Sequence, residues 1–207
     1  MTPALPKAKC SRLTLMAGLV VVWLIVLAAG WYLMFKSPQV PERYAAIGGD
    51  FTLTSSQGPV SLADYRGQVV IVFFGYTHCP DVCPAGLNNI ASALNQLDQD
   101  ELAQTHALFV SVDPERDTPQ LMAEYAKYFH DRITGLSGSL KDIAVIAKLY
   151  GVYFAKQFDE GAESADDYYV GHSRSLFIIN PDGRVVDMVK HDIDPALITQ
   201  RIRTWLP

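Results

Sequence analysis

Val69-Val70-Ile71-Val72-Phe73-Phe74-Gly75-Tyr76-Thr77-His78-Cys79-Pro80-Asp81-Val82-Cys83-Pro84 opens with six apolar residues and closes on two thiols. The first six are β-branched or aromatic throughout, the pattern of a strand covered on both faces. Beyond the thiols, Leu87, Ile90, Leu94 and Leu97 recur at helical spacing. Pro84 lacks an N–H and has a fixed φ, so it suits the first helical position and places Cys83 at the N-cap of a helix over 84–97. A helix N-terminus favours thiolate over thiol. The stretch therefore reads as a buried strand turning into a helix, with a reactive thiol pair at the junction. Two such thiols close into a disulfide or hold one soft metal ion.

Outward from this stretch, Ala107-Leu108-Phe109-Val110-Ser111-Val112 reads as a second buried strand, and the intervening helix makes a βαβ unit with a parallel neighbour. Upstream, Phe51-Thr52-Leu53-Thr54 and Val60-Ser61-Leu62 flank turn residues and predict a β-hairpin. Downstream, Thr118 before Pro119 caps a helix through Phe129. Ile133–Leu136 is a short strand or turn, and Leu140–Tyr150 is an amphipathic helix. Residues 152–170 read as an exposed excursion or loose hairpin rich in acidic side chains. Ser175–Ile179 and Val185–Val189 form a second hairpin about Asn180-Pro181-Asp182-Gly183, and Asp194-Pro195 caps a last helix to Trp205. The order βαβα followed by ββα is that of an α/β, thioredoxin-like domain with an N-terminal β-hairpin.

Residues 13–35 carry no charge and are long enough, at about 1.5 Å per residue, to cross a bilayer core of about 30 Å. They predict one transmembrane helix. The apolar run continues past Ala28-Ala29-Gly30, which favours an anchor over a cleaved signal peptide. Lys7, Lys9 and Arg12 precede it, which sets residues 1–12 as a cytoplasmic tail. Residues 36–48 follow as a linker, and 49–207 as the globular domain. The expected address is the bacterial inner (cytoplasmic) membrane, single-pass, with the globular domain in the periplasm. From residue 37 onward, 13 Lys and Arg face 22 Asp and Glu, a net of −9. That balance argues against nucleic acid as a partner.

Cys10 lies before the anchor and takes no role, which leaves Cys79 and Cys83 as the thiols of the domain. A disulfide closing so short a loop adds little stability, because the entropy it removes grows with loop length. Three chemistries remain: disulfide exchange, copper binding by soft thiolates, and peroxide reduction, which needs an arginine beside the thiol. Three residues separate the cysteines, against two in redox thioredoxins, and the wider loop leaves room for an ion. A third ligand would complete such a site. His78 neighbours Cys79 and points to the opposite side in an extended segment. His106, His130 and His191 sit at element ends, where exposed or capping roles are the default. His172, in Gly171-His172-Ser173-Arg174 before a core strand, is the better candidate, with a surface histidine as the other reading.

Three ordered segments then carry a resemblance: Gly75 to Pro84, Ser111-Val112-Asp113-Pro114-Glu115-Arg116-Asp117-Thr118-Pro119, and Gly171-His172-Ser173 before Phe177-Ile178-Ile179-Asn180-Pro181-Asp182-Gly183. Over roughly residues 45–205 the chain resembles the Sco/SenC family. The resemblance implies a membrane-tethered copper-binding protein that assists assembly of the binuclear copper centre of cytochrome c oxidase. Its metal ligands here would be Cys79, Cys83 and His172. Its partners would be the copper-bearing oxidase subunit and possible periplasmic copper carriers or thiol reductants. As a metallochaperone it needs no catalytic turnover. The alternative is a thiol–disulfide oxidoreductase that uses Cys79 and Cys83 to reduce the oxidase cysteines. Asp113 either tunes the site or, with Asp117, satisfies loop and helix-start N–H groups. Arg116 and Arg174 are expected in salt bridges or solvent, and Tyr168-Tyr169 in packing.

Overall fold

The computed structural model describes residues 12–34, 39–158, 164 and 167–207. The chain divides into two compact units at Gln39/Val40. In the first unit, α1 spans Arg12–Met34, over the stretch expected to be an anchor. Among the described residues no helix is long and apolar enough to cross a membrane. A helix thus covers the expected stretch 13–35, and its crossing of a membrane is unconfirmed.

The second unit opens with the expected hairpin, β1 (Thr52–Ser55) and β2 (Gly58–Ser61), joined by a two-residue turn. β3 (Val69–Gly75) is buried along its whole length, as its uninterrupted apolar run requires. α2 (Val82–Leu94) and the short α3 (Gln99–Ala103) lead to β4 (Thr105–Ser111). Next come α4 (Pro119–Phe129), β5 (Ile133–Leu136) and α5 (Leu140–Tyr150). β6 (Phe154–Gln157) and β7 (Tyr169–His172) pair antiparallel in a sheet of their own. β8 (Ser175–Ile179), β9 (Val185–Lys190) and α6 (Pro195–Trp205) complete the chain. The main sheet runs β5-β4-β3-β8-β9. β4 lies parallel to both β3 and β5, and β8 antiparallel to β3 and β9. This is the mixed α/β sheet that the element order predicted, with β3 at its centre.

Two boundaries differ from expectation for physical reasons. α2 begins at Val82, two residues early, so Asp81 is its N-cap and Cys83 lies inside the first turn. Pro84 is tolerated at the third helical position because the first N–H groups of a helix have no intrahelical acceptor. α2 also stops at Leu94, although Leu97 is buried. Leu97 reaches the core from a turn in which its N–H donates to the Leu94 carbonyl at 3.1 Å, so its burial mimics one more helical repeat.

Residues 152–170 resolve into β6 and β7 with the segment between them. Asp159, Glu160, Glu163 and Asp166 of the acidic stretch 157–167 lie outside the described residues.

Candidate metal centre

Gly75 ends β3 beneath the thiol loop. A Cβ there would lie 2.6 Å from Cys83 Sγ and 2.7 Å from the Phe109 ring, distances that only the absence of a side chain resolves. The strand therefore delivers its backbone directly under the second thiol. The loop that follows is tied to the end of β4 by Asp117. Its fully buried carboxylate accepts hydrogen bonds from Thr77 Oγ1 at 2.6 Å, from the Thr77 N–H at 3.2 Å and from Ser111 Oγ at 2.7 Å.

The two sulfurs differ in environment. Cys83 is completely buried, whereas Cys79 retains 9% of its surface. The Cys83 N–H, at the start of α2, donates to Cys79 Sγ at 3.4 Å. Cys79 thus occupies the place of a capping acceptor, which Asp81 leaves open because its side chain makes no capping bond. The Cys79 thiol is pushed down to about 3, first by the hydrogen bond from the Cys83 thiol, with His172 and the backbone N–H groups of Cys83 and Asp81 adding to it. Cys83 moves the other way, because its thiol donates to Cys79 and because it is buried. The sequence placed the helix-activated thiol at Cys83. The structure gives that role to Cys79, because the helix starts two residues earlier and aims the Cys83 N–H at the preceding sulfur.

β7 brings His172 to the same place. Its Nε2 lies 3.5 Å from Cys83 Sγ. Its Nδ1 lies 2.8 Å from the carbonyl oxygen of Ser173. That oxygen only accepts, so Nδ1 donates to it and Nε2 is the ring nitrogen that faces the sulfurs. The ring packs edge-on against Tyr76, with centroids 5.8 Å apart. Cys79 Sγ, Cys83 Sγ and a His172 ring nitrogen all lie within 4.8 Å of one another. Two sulfurs and an imidazole on that scale are a donor set that suits a soft ion such as copper. Cys79 and His172 open onto a cavity of about 190 Å³, and Arg174 forms part of its wall.

The remaining histidines stay apart from this group. His78 is exposed and contacts Thr77 Oγ1, as expected. His106 stacks on Tyr65 at 4.6 Å and bonds Thr134 Oγ1. His130 Nδ1 accepts from the Arg132 N–H. Asp113 does not reach the thiols. It binds Arg116 Nε at 2.5 Å and accepts the Tyr168 hydroxyl at 2.8 Å. Asp117 satisfies a loop N–H group, as one reading of the sequence had it, but that the loop is the distant one at Thr77 was not legible, because the contact spans 40 residues. Sequence reasoning missed Arg174 as a wall of the cavity.

Residues 39–207 match the SCO1/SenC family. The chain belongs to that family.

Its SCO1/SenC relatives include the mitochondrial SCO2 homologue of Bos taurus, 41% identical over 165 residues, which cover 78% of this chain and 60% of the relative. The mitochondrial SCO2 homologue of Homo sapiens is 37% identical over 191 residues, covering 90% and 70% respectively. The chain therefore spans six-tenths to seven-tenths of these relatives' length. Among solved structures, Arabidopsis thaliana ScoI with copper bound superposes with a TM-score of 0.69 at 35% identity, covering 77% of this chain and 98% of that one. The domain accordingly has the α/β thioredoxin-like Sco fold. The curated relatives are mitochondrial proteins, and among the described residues no helix is long and apolar enough to cross a membrane. The mitochondrial relatives overturn the expected bacterial inner-membrane address with a periplasmic domain.

Proposed function

We propose that the protein is a copper carrier that serves assembly of the copper centre of cytochrome c oxidase. Cys79, Cys83 and His172 are the ligands, and the copper-bearing oxidase subunit is the recipient. The observation that carries this reading is the convergence of the two sulfurs and the His172 ring nitrogen within 4.8 Å, with the ring oriented by Nδ1 against the Ser173 carbonyl so that Nε2 faces the sulfurs. The Sco relative solved with copper bound supports the choice of metal. Residues 49–207 form the copper-binding domain, preceded by a linker over 36–48. Copper is the cargo, so the ion leaves by ligand exchange and no substrate is turned over.

The test is metal analysis of the reduced full-length chain and of its His172→Ala variant. The expected result is one copper per chain in the parent and a clear loss of retention in the variant. Equal retention would remove His172 from the ligand set.

The contrast between the two thiols favours a second reading, a thiol–disulfide reductase. The Cys79 thiolate would attack a partner disulfide, releasing a partner thiolate and forming a mixed disulfide. Cys83, after giving up its proton, would then attack Cys79 Sγ and free the second partner thiol. Oxidase maturation that continues after His172→Ala has abolished copper binding would favour this reading over the carrier.

A further inference from the structure

The third ligand reaches the site on an element that the main sheet does not hold. β6 and β7 form a separate two-stranded sheet, so the ladder that fixes β3 and β4 does not fix His172. Side chains fix it instead, and most of them converge on Tyr168, four residues before the histidine.

The Tyr168 ring lies between two cations. The Arg116 guanidinium carbon sits 3.7 Å from its centroid, and the Lys156 ammonium 4.2 Å. Its hydroxyl donates to Asp113 Oδ1 at 2.8 Å. Its backbone carbonyl accepts from Arg116 Nη1 at 3.1 Å. Arg116 is paired in turn with Asp113, and Lys156 with Glu115 at 2.7 Å. Two residues on, the Val170 N–H donates to the Tyr76 hydroxyl at 3.2 Å, and the same Tyr76 ring packs on His172. Tyr168 is 5% exposed, so water competes little for these contacts. The residues after β4, Asp113 to Arg116, therefore grip the hairpin through one tyrosine.

We propose that Tyr168 is a positioning residue for His172: gripped by Arg116, Lys156 and Asp113, it holds β7 where the imidazole completes the ligand set. The proposal rests on the three-ligand reading above. Removal of the ring frees the hairpin to drift and lowers the occupancy of the His172 position, while Cys79 and Cys83, held by β3, α2 and Asp117, keep their arrangement.

The test measures Cu(I) affinity by competition with a chromophoric chelator, and nitrogen hyperfine coupling in the Cu(II) paramagnetic resonance spectrum. It uses the reduced full-length chain and its Tyr168→Ala, Tyr168→Phe and His172→Ala variants, together with the Tyr168→Ala/His172→Ala double variant. Tyr168→Phe keeps the ring between the cations, loses only the bond to Asp113, and guards against misfolding of the alanine variant. The expected result is about a tenfold loss of affinity in Tyr168→Ala with weakened nitrogen coupling, and a smaller loss in Tyr168→Phe. In the His172→Ala background the same substitution should cause no further loss. Unchanged affinity and coupling in Tyr168→Ala, with His172→Ala impaired, would overturn the clamp alone. An equal loss with and without His172 would also overturn it, because the effect would then be structural. Unaltered affinity in His172→Ala would overturn the clamp and the three-ligand reading together.

Discussion

At Gly75 the absent side chain matters more than most side chains present. An alanine there would press on Cys83 Sγ and the Phe109 ring, both completely buried. Neither can swing aside in a packed core, where added methyl groups typically cost about 1–3 kcal/mol. Gly75→Ala should therefore lose stability of that order in urea titration and also bind copper more weakly. A destabilised variant with full affinity would show that the strain is relieved away from the thiol. His106 gives a residue-scale prediction in pH. Burial, with Arg132 and His130 adding to it, holds its pKa at about 4 against an ordinary 6.5. The unfolded chain binds the proton first, so the contribution is present above pH 6.5 and is lost as pH falls toward 4. At about 1.36 kcal/mol per pKa unit, the parent should lose about 2 kcal/mol more than His106→Gln between pH 7 and pH 5. Parallel curves would remove His106 as the cause. The thiols themselves were legible in the sequence, whereas their unequal roles were not. That asymmetry depends on where α2 starts, and Pro84 was read as its first residue when it is the third.

At the scale of elements, the link between the thiol loop and the end of β4 is one carboxylate. Asp117→Asn keeps the size of the side chain but turns an amide donor toward Thr77 or Ser111, both of which already donate. A buried mismatch of this kind costs about 1–3 kcal/mol. The variant should unfold earlier, and its Cys83 should react faster with a thiol reagent in the folded state, because the loop above it is no longer tethered. Unchanged Cys83 reactivity would confine Asp117 to stability. Elements whose ends carry their own chemistry were readable from the chain. Thr118 caps α4 through the Leu121 N–H with Pro119 at the first position, and α5 runs over its expected residues between Ser139 and Gly151. β6 and β7 were read only as a loose hairpin. Each has four residues, one is half-exposed, and their pairing spans an acidic segment that offers no alternation to read.

For the molecule as a whole, a ligand that binds only the folded state raises its stability in proportion to RT ln(1 + [L]/Kd), about 4 kcal/mol when free ligand is a thousand times Kd. The three donors lie on β7, α2 and the loop between β3 and α2, so bound copper would staple parts of the chain nearly a hundred residues apart. Reduced, copper-loaded protein should melt several degrees above the copper-free form, and chelation should reverse the gain. His172→Ala should show a smaller gain. An identical melting temperature with and without copper would argue against a site that bridges these elements. The α/β order was legible at this scale because each core strand is a continuous apolar run. The meeting of His172 with the thiols was legible as a candidacy from its place before a core strand, which the family resemblance strengthened, since nothing in the spacing of residues 79 and 172 specifies their contact.

In the proposed carrier, the exposure difference between the two sulfurs would give the cargo a direction of travel. Cys83 has no face toward solvent, while Cys79 and His172 border an open cavity. An incoming donor would then approach a bound ion from the cavity side and exchange first with Cys79 or His172. Cys83 would be the last bond to break, and hand-over would become an ordered queue.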